Sequence, residues 1–258
     1  MNILGVQGFT VRDYMGDKKQ LEETFKKIAD IGYNGIQTDI PSYIDIHELK
    51  EMLSGYGLRS LTVDGSAYDI IDKPEPIITA AHILGIDLVF VESIPVEMRN
   101  SEDDYHRFAA DLNRAGKIAA AEGLRISYHP HSVEFCSFGG YNGMDILINE
   151  TDDCVEFMPD THWQASAGVN PPDFIRRLVG RCSQIHFKDY AIELGAKKLE
   201  TVLRQYAEVG QGNLNWPDII RACRETGIRI FVVEQDICKV DPFTSLAISF
   251  KAMKLLGL

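Results

Sequence analysis

No stretch of this 258-residue chain holds the roughly 18 consecutive apolar residues that a membrane-spanning helix needs. Its start, MNILGVQGFTV, has no basic flank and too short an apolar run to read as a signal peptide. Cysteine is sparse: Cys136, Cys154, Cys182, Cys223 and Cys238 are scattered, odd in number and form no CxxC pair. That excludes a disulfide frame or zinc knuckle and suits reduced thiols. Positive charge is also short, with 26 Lys and Arg against 38 Asp and Glu and a formal net charge of −12. The balance argues against a nucleic-acid partner, which favours a basic face. No GxGxxG follows an early strand pattern, no Walker sequence occurs, and no linker or low-complexity tract divides the chain. These absences leave a soluble, cytoplasmic protein of one domain, residues 1–258, with a small-molecule partner, no membrane contact and a homo-oligomer open.

What is present is alternation. Apolar residues make up 45% of the chain and charged ones 25%, an ordinary globular balance. Short β-rich runs precede helical patterns from end to end: ILGVQG (3–8) before 18–32, GIQTD (35–39) before 45–57, LRSLTVD (58–64) before 76–85, DLVFVES (87–93) before 102–123. LRISYHP (124–130), CVEFMPD (154–160), SQIHFKD (183–189) and IRIFVVEQD (228–236) continue the series, with helices expected near 143–149, 171–180, 216–227 and 241–257. Glycine commonly closes each helical pattern, supplying the left-handed residue that ends a helix. Eight such units predict a parallel sheet closed into a (β/α)₈ barrel; a doubly wound open sheet is the alternative.

In a parallel barrel the functional groups project from the carboxyl ends of the strands. The fifth run ends in His129 and His131, with Glu134 just beyond; the sixth ends in Asp160; the seventh carries His186 and Lys188; the eighth ends in Glu234. Each has an ordinary explanation taken singly: a hydrogen-bonded histidine, an aspartate capping a turn, a glutamate meeting an arginine. Four consecutive strands delivering ionisable groups at the same end favour a shared partner, since burying such groups alone is costly. Mixed oxygen and nitrogen donors suit Mn²⁺, Co²⁺, Zn²⁺ or Fe²⁺ better than Ca²⁺. Side chains alternate along a strand, so His129 shares a face with His131, and His186 with Lys188. Trp163 and Phe9, near strand ends, offer flat surfaces for a sugar ring, and core packing explains them equally well.

The runs GVQGFTVRD, YHPHSVEF, MPDTHWQASAGVNPPDFIRRLVGRCSQIHFKD, EVGQGNLNWPDII and FVVEQD resemble the sugar phosphate isomerase/epimerase family, within the xylose isomerase-like barrel superfamily. The usual family form of the second run is YHNHDFEF; both histidines and the glutamate are kept here. The resemblance implies a TIM barrel with a divalent metal at its carboxyl end, Mn²⁺ first, with Zn²⁺, Co²⁺, Fe²⁺ or Mg²⁺ as alternatives. It implies Asp160, His186 and Glu234 as metal ligands, with Glu134 as the strand-five ligand. His129 and His131 stand beside it as ligand, acid/base or substrate contacts: His129 is taken as a substrate contact with Trp163 and Phe9, and Glu134, Glu234, His131 and Lys188 as the catalytic groups.

The activity implied is a metal-dependent sugar isomerase or epimerase working through an enediolate on a keto- or aldo-sugar. The alternative is a lyase, dehydratase or deglycosidase acting on a 3-keto-sugar or keto-inositol. AP-site cleavage, known in related barrels, loses support because strands two to four end in Gln37, Asp39, Asp64 and Glu92 without a histidine.

Overall fold

Eight short parallel strands form a closed ring in the computed structural model, which describes residues 2–192 and 204–258. They are Ile3–Gln7, Gly35–Gln37, a third in two pieces (Arg59–Ser60 and Val63–Asp64), Leu88–Val91, Arg125–Tyr128, Val155–Phe157, Gln184–Phe187 and Ile230–Val233. Strand one pairs with strands two and eight, strand eight with seven, and strand four with the second piece of three and with five. Strand five pairs with six, and the ring closes between six and seven through a parallel bridge, Asp160 to His186. The expected (β/α)₈ architecture is therefore present. Its strands read as unbroken apolar runs because both faces are covered: all four residues of Leu88–Val91 are buried.

The third strand differs from expectation. Its first piece pairs with strand two and its second with strand four, and the chain changes partner at Leu61–Thr62. Leu61 fills the space left by two glycines of neighbouring strands: a Cβ on Gly5 would stand 2.5 Å, and one on Gly35 2.8 Å, from its methyl carbons. Its carbonyl accepts a hydrogen bond from Gln184 Nε2 across the barrel, at 2.9 Å. Strand three is thus tied to strand seven, on the opposite side of the ring, by one amide hydrogen bond.

Helices follow the strands where the apolar spacing places them, including Lys18–Ile31, Ile46–Gly55, Pro74–Leu84, Glu102–Ala121, Trp216–Thr226 and Pro242–Leu255. Gly32 ends the first of them at φ 117°, and its missing Cβ makes room for the Phe250 ring of the last helix. Two short helices, Ala67–Asp72 and Thr161–Ser166, fall where sequence patterning placed none. The insertion over 190–213 opens in a hairpin of Asp189–Ile192 with Arg204–Ala207, while its part 193–203 lies outside the described residues.

Asp189, fully buried, ties this insertion to the barrel. Its carboxylate accepts from the backbone N–H groups of Tyr190, Gly210, Gly212 and Leu214 and from the Trp216 indole. A side chain at Gly212 would strike that carboxylate. The runs HFKD and VGQGNLNW are therefore two halves of one anchor. Among the described residues no helix is long and apolar enough to cross a membrane.

Candidate functional site

Strands five to eight deliver four buried donors to one point at the carboxyl end of the barrel. One ligand atom from each of His129, Asp160, His186 and Glu234 lies within 4.8 Å of the others. His129 Nε2 stands 3.7 Å from Asp160 Oδ2, and His186 Nδ1 stands 3.0 Å from Glu234 Oε2. The His129 and His186 rings are 4.6 Å apart.

Local structure aims each group. Asp160 caps the short helix Thr161–Ser166: its Oδ1 accepts from the N–H groups of His162 and Trp163, at 2.8 and 3.0 Å. Capping and site roles coexist, because Oδ2 is left buried with no hydrogen bond. His186 is oriented from the far side by Gln37, whose Oε1 lies 2.7 Å from His186 Nε2. The ring thus lies between two acceptor oxygens, with Glu234 Oε2 3.0 Å from Nδ1, and a cation bound at Nδ1 would require the proton on Nε2, directed at Gln37. His129, only 3% exposed, has neither ring nitrogen hydrogen-bonded.

Lys188 shares the inward face with His186, as the strand period requires, and is fully buried. Its ammonium lies 3.2 Å from Asp160 Oδ2, 2.9 Å from Glu234 Oε2 and 2.8 Å from Asp236 Oδ2. These are charge contacts whose angles fall short of hydrogen bonds. Burial alone would push the Lys188 pKa down, yet the three carboxylates outweigh it and hold the amine protonated. Reciprocally, burial works to raise Asp160 and Glu234, but Lys188 keeps both below the usual carboxylate range. Trp163 lies against this ammonium, 4.9 Å from ring centroid to Nζ, and 5.3 Å from the His131 ring.

Glu134 does not stand among these four donors. One turn of 3₁₀ helix, Val133–Phe135, curls it back under its own loop. There it is fully buried and accepts from the Tyr128 hydroxyl and, at 2.8 Å, from the His131 backbone N–H. Burial raises its pKa against the lowering effect of those donors. His131 faces the cavity beside His129, ring centroids 4.8 Å apart. Burial, reinforced by His129, pushes its pKa down to about 3, so the imidazole is neutral at pH 7.

The cavity above the cluster offers about 200 Å³ and is lined by residues including Gln7, Phe9, Arg12, Phe90, His131 and Glu234. Phe9 sits at its rim in the 3₁₀ turn Gly8–Tyr14, about half exposed. The Arg12 guanidinium stacks 4.0 Å from the Phe9 ring and donates to the carbonyls of Phe9 and Asp236. Sequence reasoning missed the partnership of Gln37 with His186 and of Asp236 with Lys188. The position of each at a strand end was the available signal.

Two imidazoles and two carboxylates, with unpartnered atoms on His129 and Asp160, form a donor set suited to a divalent first-row ion or zinc. The comparisons with known proteins agree with this reading of the fold. An inosose dehydratase of Clostridium botulinum (strain Alaska E43 / Type E3) is 22% identical over 263 residues, covering 88% of this chain and 87% of that protein. The crystal structure of a sugar phosphate isomerase/epimerase from Parabacteroides distasonis superposes with a TM-score of 0.80 at 20% identity, over 98% of this chain and 93% of that one. The IOLI protein, solved with a bound zinc atom, superposes at 0.74 with 16% identity, over 99% and 98%. A family model described as xylose isomerase-like TIM barrel matches residues 25–242. With eight parallel strands and that match over most of its length, the chain belongs to the xylose isomerase-like TIM barrel family.

Proposed function

We propose that this protein is a divalent-metal-dependent carbohydrate enzyme that moves a proton on a carbon next to a carbonyl, giving a sugar isomerase or epimerase. The observation that carries the reading is the convergence of His129, Asp160, His186 and Glu234 within 4.8 Å at the carboxyl end of the barrel. These four would hold the cation, whose Lewis acidity would acidify the carbon between a carbonyl and a hydroxyl. This set puts His129 in the strand-five place for which the sequence suggested Glu134.

Glu234, helped by His131, handles the proton in this reading, and both side chains line the cavity. Glu134 acts through His131, holding its backbone N–H and so the ring's position. Lys188 brings a fixed positive charge to the cluster, where it offsets charge growing on a substrate oxygen. Phe9 supplies apolar surface at the cavity rim, and Trp163 packs against the His131 ring and the Lys188 ammonium. Return of the proton to the neighbouring carbon isomerises the sugar; return to the other face epimerises it.

A dehydratase reading is favoured by one observation: the relative matched over 88% of the chain is named an inosose dehydratase. The same proton removal then ends in loss of a β-hydroxyl. Incubation with Mn²⁺ and a panel of ketoses, aldoses and inososes in D₂O separates the outcomes by mass. We expect deuterium incorporation without loss of water, abolished in Asp160→Asn and His131→Ala. Loss of water from an inosose would establish the dehydratase. No exchange and no loss across the panel would sink both readings.

A further inference from the structure

Opposite the metal corner, the cavity wall is acidic. Asp39, Asp64 and Glu92 follow or end strands two, three and four, and they line the same cavity as His129, His131, Glu234 and Asp236. Against five lining carboxyl groups stands one lining guanidinium, Arg12. Arg12 already donates to two backbone carbonyls, at 2.6 and 3.1 Å, and stacks on the Phe9 ring. Lys188, beneath, is committed to three carboxylates. His129, buried and with neither ring nitrogen bonded, opens into this space, so the cavity is built to receive a ligand.

A phosphate or carboxylate group is held by cations or a cradle of N–H donors, and with five carboxyl groups to one guanidinium this wall is dominated by acceptors. Hydroxyl groups are its natural complement, because an ionised carboxylate only accepts hydrogen bonds and each has room for several. Asp64 is further fixed by the Thr62 hydroxyl at 3.2 Å, and burial together with the nearby Asp39 raises its pKa well above the usual carboxylate value.

We infer that Asp39, Asp64 and Glu92 are the specificity-determining residues of this cavity, gripping the distal hydroxyls of an uncharged carbohydrate and excluding phosphorylated and carboxylated ones. The inference rests on the carbohydrate reading of the site, and the experiment keeps the two apart. Saturation-transfer NMR on the Zn²⁺-loaded full chain compares D-fructose and myo-inositol with D-fructose 6-phosphate. Wild type is expected to bind at least one uncharged probe in a zinc-dependent way, and the phosphate ester about 100-fold more weakly. The triple variant Asp39→Asn, Asp64→Asn, Glu92→Gln should keep its zinc content and narrow that gap to about tenfold or less. Equal or tighter binding of the phosphate ester by wild type would overturn the inference and leave the carbohydrate reading standing. A gap unchanged in the triple variant would overturn the assignment to these three residues. Absence of zinc-dependent binding by any probe would overturn the carbohydrate reading and the inference together.

Discussion

The two ends of this barrel treat buried polar groups in opposite ways. Near the amino ends of the strands, Glu156 has both oxygens occupied, one by Arg125 and the other by the Ser183 N–H and hydroxyl. At the carboxyl end, His129 has no hydrogen bond, Asp160 Oδ2 has none, and Lys188 is crowded by three carboxylates. Both regions are buried, so burial does not distinguish them. What distinguishes them is satisfaction: Glu156 has a partner for each oxygen, whereas both nitrogens of His129 and Oδ2 of Asp160 have no hydrogen bond. Buried polar atoms left unpaired cost stability, and among the described residues most of them lie at the carboxyl end, with Gln184 Oε1 the exception at the amino end.

The largest test of this contrast is Lys188→Met. Removing the ammonium leaves Asp160, Glu234 and Asp236 facing each other without a cation. The metal-free protein should lose about 3–5 kcal/mol, read by urea unfolding. Saturating Mn²⁺ should restore much of that loss; equal stability of variant and wild type without metal would show that the carboxylates do not depend on Lys188.

At the other end, Glu156→Ala should cost about 1–3 kcal/mol, because the Ser183 donors lose their acceptor. Its metal content, measured by plasma mass spectrometry, should equal that of wild type. A change in metal content would mean that the ends are not independent. Gln37→Ala should reverse the pattern, with about 10–100-fold weaker metal binding, since the His186 ring loses its orienting partner. Thermal shift against metal concentration reads this directly, and unaltered affinity would remove Gln37 from the site.

The smallest effect sharpens the idea that satisfaction matters more than location. Asp104 opens the helix Glu102–Ala121 in a reciprocal cap with Ser101 and also pairs with Arg107. The Ser101 hydroxyl, with nearby backbone N–H groups, lowers its pKa in the folded protein. A lowered folded pKa contributes stability fully present above the unfolded value of about 3.9, and lost as pH falls through the folded value. The stability gap between wild type and Asp104→Ala should therefore be constant near pH 7 and shrink below about pH 3.9. A gap that widens on acidification would contradict the sign.

Much of this was legible in the chain. Eight apolar runs followed by glycine-stopped helical patterns are local signals, and each corresponds to an element of the ring. The break in strand three was not legible, because it depends on Leu61 meeting Gly5 and Gly35, residues distant in sequence. The short helix Thr161–Ser166 was missed because six residues carry too little periodicity, although Asp160 was already identified as a possible cap.

The strand-end residues Asp160, His186 and Glu234 were readable from sequence because strand direction alone puts them at one end. The segment Tyr128–Phe135 was not, since it offers His129, His131 and Glu134 within six residues. Only the 3₁₀ turn shows where each lies, with Glu134 drawn back to Tyr128 and His129 beside Asp160. The acidic wall and the Gln37 contact likewise needed the ring to close, because strands two to four meet strands five to eight only across the barrel. The sequence by itself determined the period, the polarity and the end of the barrel at which chemistry collects. Tertiary structure decided which side chains face one another, because that depends on closure and not on spacing along the chain.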